Sequence, residues 1–351
     1  MRVAYYYHQA ERKPLDAPYG NPYGELLCQA LERANVGCEF TIDIGEEYLR
    51  RNQGRIQVLH LNWPHFDYFH EDAGTMQLQM LRFVKYLELA RELGYRLVWT
   101  AHNIYPHNTQ HRAIDHECRL AICRLATAII VHCDFARREL MRNFGRVKNV
   151  FVIPHGHYHG IYSQPGTREE VRVRLGVPQD AFVYGFFGSF QPYKGIEGML
   201  RCFKLLPENS WLLGAGGGES EYLDCIRHLV AGEKQIKFRM SAYIPFDEIA
   251  LVLEASDVIV LPFAATMTSG SAILALSWPR ALVAPALGCL PEMVPATGGI
   301  LYDPLVADGL FDALTRIRSI DLQAASQAGV AAVKRLDWDM IGVSTLGAYN
   351  A

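Results

Sequence analysis

A chain of 351 residues is longer than the roughly 250–300 residues over which one hydrophobic core keeps growing, so two domains are expected. Half of the residues are hydrophobic and a fifth are charged, which excludes a disordered or fibrous protein. A formal net charge of −3 excludes a global basic field for nucleic acid, although residues 1–165 are the more basic part, with about 19 Lys+Arg against 17 Asp+Glu.

In chain order, residues 3–7 read as a first strand. A turn-rich loop at 16–23 and an amphipathic helix at about 23–35 follow. Further strands are expected at 56–61, 96–100, 128–132 and 150–153, with a long helix at 75–93 that puts Met76, Met80, Phe83, Leu87 and Ala90 on one face. The pattern then restarts, with strands at 182–187, 211–215, 236–239, 258–261 and 281–284. The polar stretch 167–180, punctuated by Gly and Pro, is the expected linker, and the segment from 336 onward reads as a helix. Alternating strands and helices mean βαβ units and parallel sheets. The fold class is therefore α/β, with two doubly wound Rossmann-like domains at 1–165 and 166–335.

The eight cysteines are scattered without a CxxC pair, which reads as reduced thiols of a cytoplasmic protein rather than a disulfide framework or zinc site. The first residues lack the apolar core of a signal peptide. No apolar stretch approaches the roughly 20 residues of a membrane span, so any membrane contact is expected to be peripheral, on the inner face of the cytoplasmic membrane.

Open α/β sheets bind ligands at the carboxyl ends of their strands, and every chemical motif here falls just after an expected strand. The loop Phe186-Phe-Gly-Ser-Phe-Gln-Pro-Tyr-Lys-Gly195 offers Gly188, Gln191 and Lys194; a lysine beside a helix start suits a diphosphate. The turn Thr268-Ser-Gly-Ser271 opens an apolar helix, where free backbone N–H groups make an anion cradle. Glu292 is a candidate for ribose hydroxyls. Each of these also has a plain reading, as a surface lysine, an ordinary N-cap and a helix-start carboxylate.

The earlier strands end in Leu59-His-Leu-Asn-Trp-Pro-His65, Trp99-Thr-Ala-His-Asn103 and Ile153-Pro-His-Gly-His-Tyr158. Trp63 suits stacking on a sugar face. His102, and His8 after the first strand, are candidate general bases, though each could equally be a structural histidine. Asn21, Tyr23, Asn103, His155 and His157 complete a candidate acceptor surface. His155, His157 and His159 stand close in sequence, but no carboxylate or Cys lies beside them at ligand spacing, so no metal is expected. Gly214–Gly218 is not the spaced dinucleotide fingerprint.

The order of these motifs resembles that of the GT-B glycosyltransferases, with glycosyltransferase family 4 as general relatives, over nearly the whole chain. The segments Leu-His-Leu-Asn-Trp-Pro, Thr-Ala-His-Asn, His-Gly-His-Tyr, Pro-Tyr-Lys-Gly and Ser-Gly-Ser are similar to the GumI-type bacterial β-mannosyltransferases of family 94. The resemblance implies two domains facing across a cleft, a C-terminal helix 336–351 returning to the first domain, and a nucleotide-sugar donor on the second. It also implies transfer of mannose from GDP-mannose to a glycan or polyprenyl-diphosphate-linked acceptor, in exopolysaccharide or cell-surface glycan synthesis, with inversion and without a metal ion or other cofactor. Two departures stand out. Retaining family 4 enzymes carry two glutamates where this chain has Thr266 and Leu274, and related sequences often have Arg where it has Gln191 or Ser189. The alternatives are a catalytically silent GT-B subunit that binds a partner, a GT-B enzyme using a UDP-sugar, a phosphorylase or epimerase of the same fold, and a dinucleotide oxidoreductase.

Overall fold

The computed structural model describes residues 1–7, 21–107 and 109–351, so the candidate base His8 lies outside the described residues. These residues form two compact units. One comprises 1–7, 21–156 and 336–351, and the other 157–335.

The first unit alternates β1 (Arg2–Tyr6), α1 (Tyr23–Arg33), β2 (Gly37–Thr41), α2 (Glu46–Asn52), β3 (Val58–Leu61), α3 (Ala73–Glu92), β4 (Arg96–Thr100), α4 (Arg112–Leu125), β5 (Ala128–Val131), α5 (Asp134–Phe144) and β6 (Val150–Val152). Its six strands are all parallel, in the order β2-β1-β3-β4-β5-β6. The central strands are continuous apolar runs because helices cover both faces of a parallel sheet; β5, Ala-Ile-Ile-Val, is buried throughout. Local chemistry sets the helix ends. The Asp72 carboxylate accepts from the Thr75 N–H to start α3, and Gly145, with φ at 65°, ends α5.

The second unit runs α6 (Arg168–Leu175), β7 (Phe182–Phe187), α7 (Ile196–Phe203), β8 (Ser210–Gly217), α8 (Ser220–Val230), β9 (Ile236–Ser241), α9 (Phe246–Ala255), β10 (Val258–Val260), α10 (Gly270–Ser277), β11 (Ala281–Pro285), α11 (Leu290–Met293), β12 (Gly299–Tyr302), α12 (Gly309–Arg316) and α13 (Leu322–Val333). The parallel order is β12-β11-β10-β7-β8-β9. A final helix, α14 (Trp338–Tyr349), belongs to the first unit. There Gly342 packs against Ala30 of α1, and Arg96 donates to the Tyr349 carbonyl at 2.9 Å.

The structure corrects the expected linker. Residues 168–175 are helical because Thr167, at the N-cap, and Glu170 form a capping box, with each side chain satisfying the other's backbone N–H. Helix α6 carries Arg172, which is buried and donates to Asp257 at 2.9 Å. Asp257 also accepts from Arg168 and from the Val183 N–H. The chain passes from one unit to the other between Gly156 and His157 and again between Arg335 and Leu336. The edge strands β2 and β12 add to the expected set.

In each sheet the connections reverse direction at one point: between β1 and β3 in the first unit, and between β7 and β10 in the second. Such switch points leave a crevice at the carboxyl ends of the two flanking strands.

Candidate functional site

At the switch point of the second unit, the β7 loop meets the loop after β10. Gly188 has a φ of +119°, a conformation that disfavours side chains, and a Cβ there would stand 3.5 Å from the Ser271 Oγ. The Tyr193 carbonyl accepts from the Ala264 N–H at 2.8 Å, which locks the two loops together. The glycines at the end of β8 serve this packing, since a Cβ on Gly216 would overlap the Gly188 carbonyl and the Phe190 ring.

Lys194 is half-buried. Its Nζ lies 4.3 Å from the centroid of the Phe263 ring and 5.1 Å from that of Tyr193. Burial penalises the ammonium and lowers its pKa to about 8. Among the described residues no carboxylate forms an ion pair with Lys194, so an anionic ligand would relieve the cost of burying it. The Ser269 side chain accepts from the Ala272 N–H at 3.1 Å, capping α10 and leaving the helix start at Gly270 and Ser271. The Thr268 hydroxyl lies 3.5 Å from the Cys289 sulfur. Gln191 is half-buried before the lysine turn, and Glu292 is exposed on the short helix α11. Leu274 is buried in α10 and the Thr266 hydroxyl donates to the Thr268 carbonyl, so neither stands in for the glutamates of retaining relatives.

The first unit gathers different chemistry at the ends of its strands. Its centre is His102, after β4, which is only 7 % exposed. The Trp63 ring stacks on it at 4.2 Å with the planes 7° apart, so one face of the indole is already taken. The His102 Nε2 faces the Asn62 amide at 3.1 Å, and its Nδ1 faces His132 Nε2 at 3.2 Å. His132, after β5, uses its Nδ1 on the Ile153 carbonyl at 2.9 Å. Tyr23 packs edge-on against His102 at 4.9 Å and also contacts His155 and Trp338. A fourth histidine, His60 in β3, bridges the Tyr349 and Thr100 hydroxyls at 2.7 Å each.

Burial lowers the pKa of all four rings: His60 and His155 to about 3, His132 to about 4, and His102 well below the ordinary value, with the neighbouring histidines adding to the shift in His102. They are neutral near pH 7.

Some expected acceptor contacts change character. Tyr23 and His155 are buried and support the ring cluster rather than present a face, because α1 and α14 close over them. His155 belongs to the first unit, whereas His157 and His159, whose rings lie 4.8 Å apart, belong to the second. Asn21 is exposed; its side chain accepts from the Tyr23 N–H at 3.0 Å. Asn103 is half-buried. The sequence reading missed Asn62 and His132, which lie in or beside runs that read only as strands. Among the described residues no group of three His, Cys, Asp or Glu side chains is arranged to hold a metal ion. No described helix is long and apolar enough to cross a membrane.

Known proteins share this architecture. Residues 181–319 match the family model "Glycosyl transferases group 1", and residues 77–157 match "Glycosyltransferase Family 4". The chain is 26 % identical over 302 residues to the GDP-mannose:glycolipid 4-beta-D-mannosyltransferase of Xanthomonas campestris pv. campestris, covering 82 % of this chain and 78 % of that one. Among solved structures it is similar to sucrose-phosphate synthase from Thermosynechococcus elongatus, with a TM-score of 0.77, 17 % identity and coverage of 99 % and 98 %. It is also similar to Anabaena HepE in complex with UDP, with a TM-score of 0.72, 17 % identity and full coverage of both chains. With its two six-stranded parallel sheets, the chain is a glycosyltransferase of the GT-B fold and belongs with the family 4-like enzymes.

Proposed function

We propose that the protein transfers mannose from GDP-mannose to a lipid-linked glycan, with inversion and without a metal ion, in the synthesis of an exopolysaccharide or cell-surface glycan. The observation that carries the donor half is the half-buried cation Lys194 against the Phe263 ring, in the same loop that brings Gly188 to Ser271 at the start of α10. Gly188 and the 268–271 turn take the diphosphate, with Gln191 beside Lys194 and Glu292 on the ribose. The positive charge of Lys194 and the helix terminus serves the leaving diphosphate as a cation does in other transferases. The mannosyltransferase relative supports the sugar and the glycolipid acceptor.

The acceptor lies against the first unit, near Trp63, Asn103 and Asn21. His102 takes the proton of the attacking hydroxyl at Nε2. A bond forms from that oxygen to the anomeric carbon as the bond to the diphosphate breaks, and the diphosphate leaves with the electron pair. His8 is the second candidate base. The absence of glutamates at Thr266 and Leu274 favours inversion.

A lipid-linked acceptor requires the enzyme to reach a bilayer. Exposed Leu81 and Leu120 flank a groove of about 570 Å³ between α3 and α4, with exposed Met141 and Val147 close by in sequence to its Phe144–Arg146 edge. Arg82 and Lys85 are exposed on α3, Arg142 on α5 and Lys148 just after α5. Arg124 and Arg146 line the groove together with Glu117, and apolar side chains accompanied by cations suit the inner, anionic leaflet.

The deciding experiment incubates the enzyme with GDP-mannose or a UDP-hexose and a polyprenyl-diphosphate-linked oligosaccharide, with and without a chelator. The proposal expects a β-linked mannosyl product from GDP-mannose, insensitive to chelator and lost in Lys194→Ala. A product from the UDP-sugar alone would move the donor. Absence of turnover with any donor would favour a silent subunit.

A further inference from the structure

We infer that His132 is a positioning residue that fixes the proton of His102 on Nδ1 and so keeps the His102 lone pair on Nε2, where it faces the Asn62 amide. This rests on the reading of His102 as the base. The assignment follows from hydrogen-bond direction along a chain of four groups.

The Ile153 carbonyl can only accept, so His132 must carry its proton on Nδ1. A neutral His132 then has a bare Nε2, which can only accept from His102 Nδ1 at 3.2 Å. A neutral His102 in turn has its lone pair on Nε2. That atom faces the Asn62 amide at 3.1 Å, so in the resting state the amide NH2 group is the one turned toward the ring. With its oxygen toward the ring, Asn62 accepts from the Tyr5 hydroxyl at 3.0 Å and donates to the Tyr6 carbonyl at 3.5 Å; turned, it donates to the Tyr5 hydroxyl instead and exchanges the long Tyr6 contact for one between two oxygens.

The chain therefore runs from Asn62 through His102 and His132 to Ile153, with every donor facing an acceptor. When His102 takes a proton at Nε2, the resulting imidazolium keeps its Nδ1–H on His132. The Asn62 amide rotates to offer its oxygen to the new N–H. His132 thus does for His102 what an orienting carboxylate does in a hydrolase triad, but as a neutral acceptor, so it fixes the tautomer without adding a charge. Trp63 and Tyr23 hold the ring plane while this happens.

The test has two arms. In ¹⁵N-histidine NMR of the whole protein, with resonances assigned through His102→Gln and His132→Gln, both rings should show a protonated Nδ1 and a bare Nε2. A proton on His102 Nε2 in the resting enzyme would overturn the inference. In steady-state kinetics, His132→Phe removes the acceptor and should lower kcat by about 10²- to 10⁴-fold with little change in donor KM. His132→Gln keeps an acceptor oxygen and should recover at least about tenfold of that loss. An unchanged kcat in His132→Phe, or a Gln variant no better than Phe, would remove the positioning role. If His132→Phe does not fold, the Gln variant and the NMR arm still decide. If the wild type transfers no sugar, the function fails while the tautomer assignment is still read from NMR.

Discussion

The two units build their candidate sites from opposite materials. The second uses backbone and small groups: a glycine with positive φ, a capped helix start and a single half-buried lysine, all within two loops. The first uses side chains in bulk, with Trp63, Tyr23, His102, His132 and His155 packed ring on ring and linked by hydrogen bonds between residues from separate strands. A cradle of N–H groups and one cation fits an anion of fixed shape, such as a diphosphate. A buried neutral histidine cluster fits proton handling away from water. The difference is what a transferase needs if it holds a charged donor with one unit and activates a hydroxyl with the other.

The comparison can be broken most forcefully with acid. The folded pKa values of His60, His132 and His155 lie below the ordinary histidine value of about 6.5, at about 3 to 4, and that of His102 is also lowered. The folded state therefore binds fewer protons than the unfolded one. The stability these rings contribute is fully present above about pH 6.5 and is lost as the pH falls toward the folded values. Each ring costs about 1.4 kcal/mol per pH unit through that window. Urea unfolding at steps between pH 7.5 and pH 4.5 should show a steep fall of several kcal/mol, and His60→Gln should make it shallower. A flat profile would mean that the rings are hydrated and the first unit is not the dry cluster described.

Next in size is Asp257→Ala in the second unit. Arg172, 1 % exposed, would be left without its carboxylate, and the Val183 N–H would lose its acceptor. A loss of about 3–5 kcal/mol is expected in denaturant unfolding. A loss below about 1 kcal/mol would show that water reaches Arg172.

Gly156→Ala sharpens the contrast from the other side. A Cβ there would overlap the Trp338 indole, which roofs the histidine cluster. The expected cost is about 1–3 kcal/mol in stability, with transferase activity falling further than donor binding.

The smallest effect belongs to Ser269→Ala. It removes the cap of α10 and should cost about 1 kcal/mol, with donor affinity weakened only modestly because the backbone N–H groups remain. Thermal unfolding with and without nucleotide separates the two contributions.

The same contrast decides what could be read from the chain. The turns that carry Lys194 and Ser269–Ser271 were legible as strand-to-helix loops because a strand, a glycine and a capped helix are local features, spelled out within ten or so residues. The strands 96–100 and 182–187 were legible for the same reason, as apolar runs bounded by polar turns. His132 was not, since its meaning depends on β5 lying beside β4, which brings its ring to His102 across 30 positions of sequence. Asn62 was hidden for the same reason, beside a tryptophan that looked like the binding group. β2 went unread because Gly37-Cys-Glu-Phe-Thr mixes polar and apolar residues, as edge strands do, and β12 because four residues behind a glycine pair give little pattern. Helix α6 was misread as linker because its flanking Gly and Pro outweighed the Thr167–Glu170 capping box.

The most direct test of the central claim, that the second unit holds a nucleotide-sugar diphosphate on Lys194, is calorimetric titration of GDP-mannose into the wild type, Lys194→Ala and Trp63→Ala. The account predicts that Lys194→Ala weakens binding by about 10²-fold or more, while Trp63→Ala stays within about twofold of the wild type. Tight binding that survives Lys194→Ala but is lost in Trp63→Ala would place the donor on the first unit and contradict the account.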